Sequence, residues 1–192
     1  MNPLGETLRA LASVLDKLKI PYAIGGSLAS AARGLYRATN DADLVAAIGP
    51  HQAALLATAL GREWYADPDQ IRDAIRSGRS FNVVYLQFSQ KVDIFPATEE
   101  FHSVQLQRAT AEAPFRDDET LYPITSAEDI LLAKLRWYKD GGEVSDRQWQ
   151  DIMGIVAVNL ELDKEYLRTW AARLGVQALL ARALTPTNER LP

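Results

Sequence analysis

Cysteine is absent from the 192-residue sequence, and histidine occurs only twice. Without cysteine, disulfides and thiolate metal sites are excluded, and the composition fits a reducing cytoplasm, where we expect the protein to be located. His51 and His102 have no companion ligands at metal-binding spacing, so we interpret both as surface residues. The net charge of −4 argues against a protein that binds nucleic acid through an overall basic surface.

Long hydrophobic runs are also missing, and none approaches the length of a membrane-spanning helix. The first fifteen residues carry Glu6 and Arg9 among scattered leucines instead of a basic region followed by an apolar block, so we expect no signal peptide. Hydrophobic residues make up 47% of the chain and charged residues 24%, which is typical of a soluble globular protein with a substantial core.

The first half of the chain alternates between helical and strand patterns. Leucines at spacings of three and four predict an amphipathic helix over 3–19. Further helices are predicted at 28–33, 50–60 and 68–76. Strands are predicted at 22–24, 41–48, 80–88 and 91–95, and the last two would pair across a turn at 89–90.

The second half is helical after a segment of mixed character at 97–118. Residues 120–124 are consistent with one more short strand, and helices are predicted at 127–139, 146–158, 163–174 and 176–184. We therefore predict an α/β fold, in which a small mixed sheet flanked by helices is followed by a helical C-terminal half. We place the two parts at 1–122 and 123–192.

A glycine pair follows the first predicted strand and precedes a predicted helix. Gly25 and Gly26 would let the backbone approach a ligand closely, because a Cβ there would hold the ligand away. Ser27 stands at the start of the helix, where free N–H groups and the helix dipole favour a phosphate. These three residues are candidate phosphate-binding residues, and a small-residue turn that binds nothing is the alternative.

Two aspartates, Asp41 and Asp43, lie one residue apart in the next predicted strand. Side chains at i and i+2 of a strand point to the same face, about 6–7 Å apart. Two such carboxylates repel each other unless they share a cation. Because Mg²⁺ prefers carboxylate and phosphate oxygens, the pair predicts a site for Mg²⁺ or Mn²⁺. A solvated strand end is the alternative.

A third aspartate, Asp93, lies in the predicted strand 91–95, and Lys91 shares its face by alternation. Three strand-borne carboxylates can hold two metal ions about 3.5–4 Å apart, one at a leaving pyrophosphate and one at an attacking hydroxyl. This arrangement predicts nucleotidyl transfer from a nucleoside triphosphate (NTP).

Taken together, these residues resemble the polymerase-beta-type nucleotidyltransferase superfamily. Within it, the chain most resembles the AbiEii/MenT-like branch, the enzymes of type IV toxin–antitoxin systems and their relatives. The Arg-x-Thr-x-Asp-x-Asp motif of that branch matches in full at Arg37, Thr39, Asp41 and Asp43. Its Lys-x-Asp motif matches Lys91 and Asp93, and the resemblance covers roughly residues 20–155.

Two further motifs of the branch fall in the helical half. The third, an acid followed five residues later by a lysine, matches Asp129 and Lys134. The fourth matches in part, because Arg147 and Asp151 are present but Gln148 replaces its first aspartate.

The resemblance also implies the roles of these residues. Gly26 and Ser27 would hold the triphosphate, Asp41 and Asp43 would ligate magnesium, and Asp93 would be a metal ligand or a base. Lys134 and Asp151 would complete the site from the helical half. We include Gly25, Arg37, Thr39 and Lys91 among the candidate nucleotide-binding residues.

Structural explanations stay open for the residues of the helical half. Asp129 forms a capping box with Ser126. Lys134 lies among leucines, where its stem could be buried with only the ammonium exposed. Asp151 could pair with Arg147 one helical turn earlier.

From this we predict a magnesium-dependent nucleotidyltransferase that moves a nucleoside monophosphate from an NTP to a hydroxyl acceptor. The acceptor stays open: the acidic composition slightly favours a small molecule or a protein over RNA. If the acceptor is RNA, we expect a single-stranded end such as the tail of tRNA, because its hydroxyl must come within about 3–3.5 Å of the α-phosphorus. The resemblance makes an antitoxin a candidate protein partner. The alternatives are an inactive nucleotide-binding or protein-interaction module of the same fold, and an enzyme that modifies a small molecule.

Overall fold

The computed structural model describes residues 2–33, 41–115 and 118–185. The elements of the first half are α1 (Pro3–Lys17), β1 (Tyr22–Ile24), α2 (Gly26–Arg33), β2 (Ala42–Ala46), α3 (Ala53–Leu60), β3 (Trp64–Tyr65), α4 (Pro68–Arg76), β4 (Phe81–Tyr85) and β5 (Gln90–Pro96). Short 3₁₀ turns at Pro50–Gln52 and Gly61–Glu63 flank α3. The predicted pairing is confirmed, since β4 and β5 form an antiparallel pair. The turn predicted at 89–90 was wrong, because the turn occupies residues 86–89 and β5 begins at Gln90.

The second half agrees closely with the predicted helices. Its elements are α5 (Glu100–Arg108), β6 (Thr110–Glu112), β7 (Tyr122–Ile124), α6 (Ala127–Asp140), α7 (Asp146–Val158), α8 (Lys164–Leu174) and α9 (Gln177–Leu184). The sequence pattern did not predict α5 and β6. Among the residues that the structure describes, no helix combines the length and the apolar character needed to cross a membrane.

Side chains that accept from backbone N–H groups mark the start of five helices. They are Asn2 for α1, Asp67 for α4, Ser126 for α6, Ser145 for α7 and Asp163 for α8. Each satisfies an N–H group that has no partner within its own helix. These local signals explain why the helix starts agree with the sequence pattern.

The seven described strands form one mixed sheet in the order β3-β4-β5-β2-β1-β7-β6. The pairs β2–β5 and β1–β7 are parallel, and the other neighbours are antiparallel. The predicted fold class is confirmed: a mixed sheet with flanking helices is followed by a helical half. The boundary proposed at 122/123 falls inside β7, and the division into two parts stays a prediction.

Register gives the sheet one apolar and one partly polar face at its centre. Asp43 of β2 is the direct neighbour of Asp93 in β5, and Leu44 is the neighbour of Ile94. Because side chains alternate along a strand, both acids point to one face and both apolar residues to the other. Leu44 and Ile94 are buried in the hydrophobic core, whereas Phe95, two residues beyond Asp93, packs on Trp137 of α6 with ring centroids 5.7 Å apart. The acids therefore share a face with the side chains under α6.

A buried polar cluster joins three helices of the second half. Asp129 of α6 is fully buried and accepts from the Ser126 Oγ at 2.9 Å and from the Tyr166 hydroxyl of α8. Arg108 of α5 places its Nε 3.4 Å from Asp129 and its guanidinium 4.0 Å from the centre of the Tyr166 ring. Burial raises the pKa of Asp129, against the opposing effect of these partners.

Replacing Tyr166 by Phe should destabilise the protein without changing its surface charge. The variant loses a hydrogen bond to a buried carboxyl, which contributes about 1.5–3 kcal/mol when the partner is charged. Urea denaturation should show a lower free energy of unfolding for Tyr166→Phe and a near-unchanged one for Tyr65→Phe, since Tyr65 is 50% exposed. Equal midpoints for the two variants would contradict the role assigned to this cluster.

Candidate active site

The junction between β1 and α2 lies directly against Asp43. The backbone N–H of Gly25 donates to the Asp43 carbonyl at 2.8 Å, and the backbone N–H of Ser27 donates to the Asp43 carboxylate. Gly26 has a φ of +55°, and a Cβ built there would lie 1.8 Å from the Asp43 Oδ2. Only glycine fits this position, both for its backbone conformation and for the space beside the carboxylate.

Asp43 lies in an environment that disfavours its charged form. Burial raises its pKa most, and the neighbouring Asp93 carboxylate and Asp41 raise it further. The Ser27 N–H and the Lys134 ammonium oppose this shift in pKa without cancelling it. The protein therefore keeps an unfavourable arrangement of negative charge at this point, as sites that bind cations commonly do.

Lys91 forms an ion pair with Asp93, with the Nζ 2.6 Å from the Oδ2. Its pKa is raised chiefly by this hydrogen bond, and also by Asp41 and Asp43. The alternation predicted from the sequence thus places a fixed cation beside the three carboxylates. Its role in binding a nucleotide stays a prediction.

A cleft of about 340 Å³ opens beside these residues between α2, α6 and α7. We call it the α2–α6–α7 cleft, and its lining residues are Ser27, Asp41, Lys134, Trp137, Ser145, Arg147, Gln148 and Asp151. The structure thus brings residues from the first half of the chain together with residues about a hundred positions later. The roles of these residues stay predictions.

Lys134 and Asp151 contact each other across this cleft. The Lys134 Nζ lies 2.9 Å from the Asp151 Oδ2, and the side chains are 5% and 15% exposed. A lysine that is so deeply buried is uncommon unless it is paired, so the pair fixes the ammonium at the wall of the cleft. Asp129, the acid matched to the same motif as Lys134, lies instead in the cluster with Tyr166.

The donor set suits a hard divalent cation. Asp43 and Asp93 are in-register neighbours, and their repulsion contributes to the raised pKa of Asp43. A cation held between carboxylate oxygens would relieve that repulsion. Within residues 2–33, 41–115 and 118–185, no group of three or more His, Asp or Glu side chains is already arranged to hold a metal ion.

Two predicted site residues lie outside the described part of the chain, and two residues near the site were not predicted. Arg37 and Thr39 fall in the segment 34–40, outside the described residues. The sequence pattern did not predict Asn82, which is exposed on β4 as the direct neighbour of Asp93 and shares its face. The turn predicted at 89–90 would have paired Asp93 with Leu86, and the observed turn at 86–89 moves the pairing to Asn82. Trp137 lines the α2–α6–α7 cleft, and nothing in its local sequence indicated that position.

Comparison with known proteins gives similarity in structure but not in sequence. No family model matches the sequence, and no curated protein matches it. The antibiotic-resistance factor ANT(2'')-Ia in solution aligns with a TM-score of 0.53 at 16% identity, over 95% of this chain and 97% of that one. The same factor in complex with adenylyl-2''-tobramycin gives a TM-score of 0.53 at 13% identity, over 90% and 97%.

A third structure is an antigenic nucleotidyltransferase-like protein from Paracoccidioides brasiliensis. It aligns with a TM-score of 0.51 at 23% identity, over 94% of this chain and 91% of that one. At these identities the comparisons establish the architecture, and the AbiEii/MenT-like branch stays a prediction. The chain therefore has the fold of the nucleotidyltransferases.

Proposed function

We propose that the protein is a magnesium-dependent nucleotidyltransferase that moves a nucleoside monophosphate from an NTP to a hydroxyl group. The observation that carries this proposal is the convergence of Ser27, Asp41, Lys134 and Asp151 on one cleft beside the Asp43–Asp93 pair. The fold shared with known nucleotidyltransferases supports it.

The α2–α6–α7 cleft suits a triphosphate. The Ser27 hydroxyl can donate to a phosphate oxygen, and the dipole of α2 favours negative charge at its start, although the Ser27 N–H itself donates to Asp43. Lys134 and Arg147 bring two cations to the same cleft. Phosphate binding there would position the α-phosphorus toward the carboxylates of β2 and β5.

Asp41, Asp43 and Asp93 would hold Mg²⁺ or Mn²⁺, which supplies positive charge against the phosphates and increases the acidity of the attacking hydroxyl. The acceptor oxygen forms a bond to the α-phosphorus, the bond from that phosphorus to the bridging oxygen breaks, and pyrophosphate leaves. Asp93 would accept the proton of the hydroxyl, and Lys91 holds that carboxylate in place through the ion pair.

Transfer of label from each of the four [α-³²P]NTPs into total RNA, protein and a metabolite extract tests this function. We expect label in one fraction, only with Mg²⁺ or Mn²⁺ present, and none with Asp41→Ala. An absence of transfer with every NTP would favour the alternative of an inactive nucleotide-binding module. Undiminished transfer by Asp41→Ala would refute the proposed site.

The acceptor class is the finer part of the proposal. The resemblance to toxin–antitoxin enzymes makes RNA a candidate acceptor and a neutralising antitoxin a candidate partner. However, two arginines that could hold RNA are already engaged: Arg33 pairs with Glu112 at 2.6 Å, and Arg72 pairs with Asp69. If RNA is the acceptor, its binding should therefore depend only weakly on salt. A plot of the logarithm of the binding constant against the logarithm of the salt concentration should fall by about 0.7 in slope for each phosphate contacted.

Replacing Lys134 by Met should weaken NTP binding about 10- to 100-fold, because a charged donor to the phosphates is lost. Lys139→Met is the matched control, since Lys139 lies on the same helix but bonds to the Gly175 carbonyl at 2.9 Å. Calorimetric titration with each NTP in the presence of Mg²⁺ measures the effect. Equal affinities for both variants would place Lys134 outside the nucleotide site.

A further inference from the structure

A second cavity is lined by Asp43 and by Trp137, which also lines the α2–α6–α7 cleft. Its volume is about 210 Å³, and we call it the α5–α6 cavity. The cavity is lined by aromatic, charged and small side chains, among them Asp43, Phe95, Glu99, Phe101, His102, Ala133, Arg136, Trp137 and Asp140. Trp137 lines both spaces, and Asp43 of the cavity and Asp41 of the cleft are two residues apart in the chain.

The two spaces differ in charge. Asp41 and Asp43 are set aside because the proposed metal would compensate their charge. The cleft then has Lys134 and Arg147 against Asp151, a formal charge of +1. The cavity has Arg136 as the only cation among its described lining residues, against Glu99 and Asp140, a formal charge of −1. Arg136 is moreover engaged by Glu99 at 2.6 and 3.1 Å and lies 4.0 Å from Asp140. A triphosphate therefore favours the cleft, and a neutral or cationic molecule favours the cavity.

A partly buried imidazole lines the cavity. His102, which we expected at the surface, is only partly exposed, and its buried Nδ1 has no hydrogen-bond partner among the described residues. Such a group costs free energy unless a ligand or water supplies the missing bond. Burial lowers the pKa of His102 most, although Glu99 and a hydrogen bond with the Pro96 backbone oppose this shift in pKa.

Size and wall chemistry narrow the class of ligand. Pockets for drug-sized molecules usually hold about 300–1,000 Å³, so a cavity of about 210 Å³ suits a single ring. Phe95, Phe101 and Trp137 offer aromatic surface on which one face of such a ring can pack. An RNA end would have to bring its phosphodiester groups beside Glu99 and Asp140, which the charge of the cavity opposes.

We propose that the α5–α6 cavity is the acceptor site, and that the acceptor is a small alcohol with one ring and a neutral or positive charge. This rests on the proposed nucleotidyl transfer. The hydroxyl would approach the α-phosphorus from the cavity while the triphosphate occupies the cleft, with Asp43 between them.

A variant that fills the cavity tests the acceptor site separately from the proposed nucleotidyl transfer. Ala133→Leu adds bulk to the cavity wall, and Ala172→Leu, at an exposed position of α8, is the matched control. With [α-³²P]NTP and a metabolite extract, we expect Ala133→Leu to lose transfer about tenfold or more through overpacking of the site. Its calorimetric NTP affinity with Mg²⁺ should equal that of the wild type, and Ala172→Leu should transfer normally.

The possible outcomes are distinct. If the wild type neither binds nor transfers any NTP, the proposed function fails. If the wild type transfers label and Ala133→Leu transfers it equally well, or if RNA is the labelled fraction, the cavity is not the acceptor site, although the nucleotidyl transfer stands.

Binding of three sugars that share one ring but differ in charge tests the cavity without catalytic turnover. This test does not depend on whether Ala133→Leu folds. Glucosamine should raise the melting temperature of the protein most and glucose less. Glucose 6-phosphate should have no effect. Glu99→Gln should weaken glucosamine about 2- to 5-fold, as expected for a partly exposed charge pair. Glu100→Gln, whose carboxylate pairs instead with Arg173 at 3.0 Å, should not. Preference for glucose 6-phosphate would overturn the proposal.

Discussion

We expect Asp43→Asn to lower the proposed nucleotidyl transfer by at least about 10²- to 10³-fold, and to leave the protein folded and at least as stable as before. The loss follows because the carboxylate nearest the start of α2 no longer carries charge for the cation. The gain in stability follows because the variant removes a charge that burial and Asp93 disfavour. Such an exchange of stability for function is common where charges of one sign are held together. Label transfer and thermal denaturation measure the two effects.

The pH dependence of that stability supplies an independent check. Asp43 has a pKa raised above its ordinary value of 3.8, so its ionisation disfavours the folded state. The penalty is complete above the folded-state pKa and vanishes below 3.8, where the carboxyl is protonated in both states. In metal-free buffer the higher melting temperature of Asp43→Asn should therefore shrink as the pH falls through this range. Asp73→Asn, at an exposed position of α4, should show no such trend.

Gly26→Ala should remove activity as completely as Asp43→Asn does. The reason differs, because the added methyl group displaces the Asp43 side chain and leaves its charge unchanged. The added Cβ would lie 1.8 Å from the Asp43 Oδ2 and 2.5 Å from its carboxyl carbon, so the Asp43 side chain must move. A displacement of about 1 Å at a reacting centre can reduce the rate about 10²-fold, and here the displaced group is itself a candidate ligand. We expect no measurable transfer and weaker NTP binding.

Gly142→Ala separates this effect from backbone strain. Gly142 also has a positive φ, of +78°, but a Cβ there meets nothing within 4 Å. Both variants should lose about 1–2 kcal/mol of stability from the left-handed backbone, as measured by urea denaturation. Only Gly26→Ala should lose transfer, and comparable transfer by the two variants would contradict the role of the β1–α2 junction.

The sequence predicted most of the fold where one local signal was sufficient. Side-chain caps and leucine spacing indicated α6 to α9, and the alternation of β5 placed Lys91 and Asp93 on one face. Helix α5 has few buried side chains, mainly Phe101 and Gln105, so its hydrophobic periodicity is weak. The two-residue strand β3 is too short to give a pattern of its own.

The candidate site was predictable to a smaller extent, because much of it depends on contacts between distant elements. Gly25, Gly26, Asp43 of β2 and Asp41 just before that strand form a local pattern with a direct chemical meaning. Lys134 and Asp151 have ordinary structural explanations in sequence, and only the packing of α6 and α7 against α2 places them in the cleft. The α5–α6 cavity was beyond prediction, since it exists only between the sheet and two helices whose positions no local rule determines.

The parallel pairing of β1 with β7 also affects how the chain is made. Strand β1 ends at Ile24, but its second neighbour, β7, begins only at Tyr122. At ordinary rates of translation, about 5–20 residues per second, the edge of β1 stays open for roughly 5–20 s after it emerges. Exposed edges of this kind readily pair with other chains. Nascent chains that stop before Tyr122 should therefore need a chaperone at β1, and released fragments of that length should aggregate.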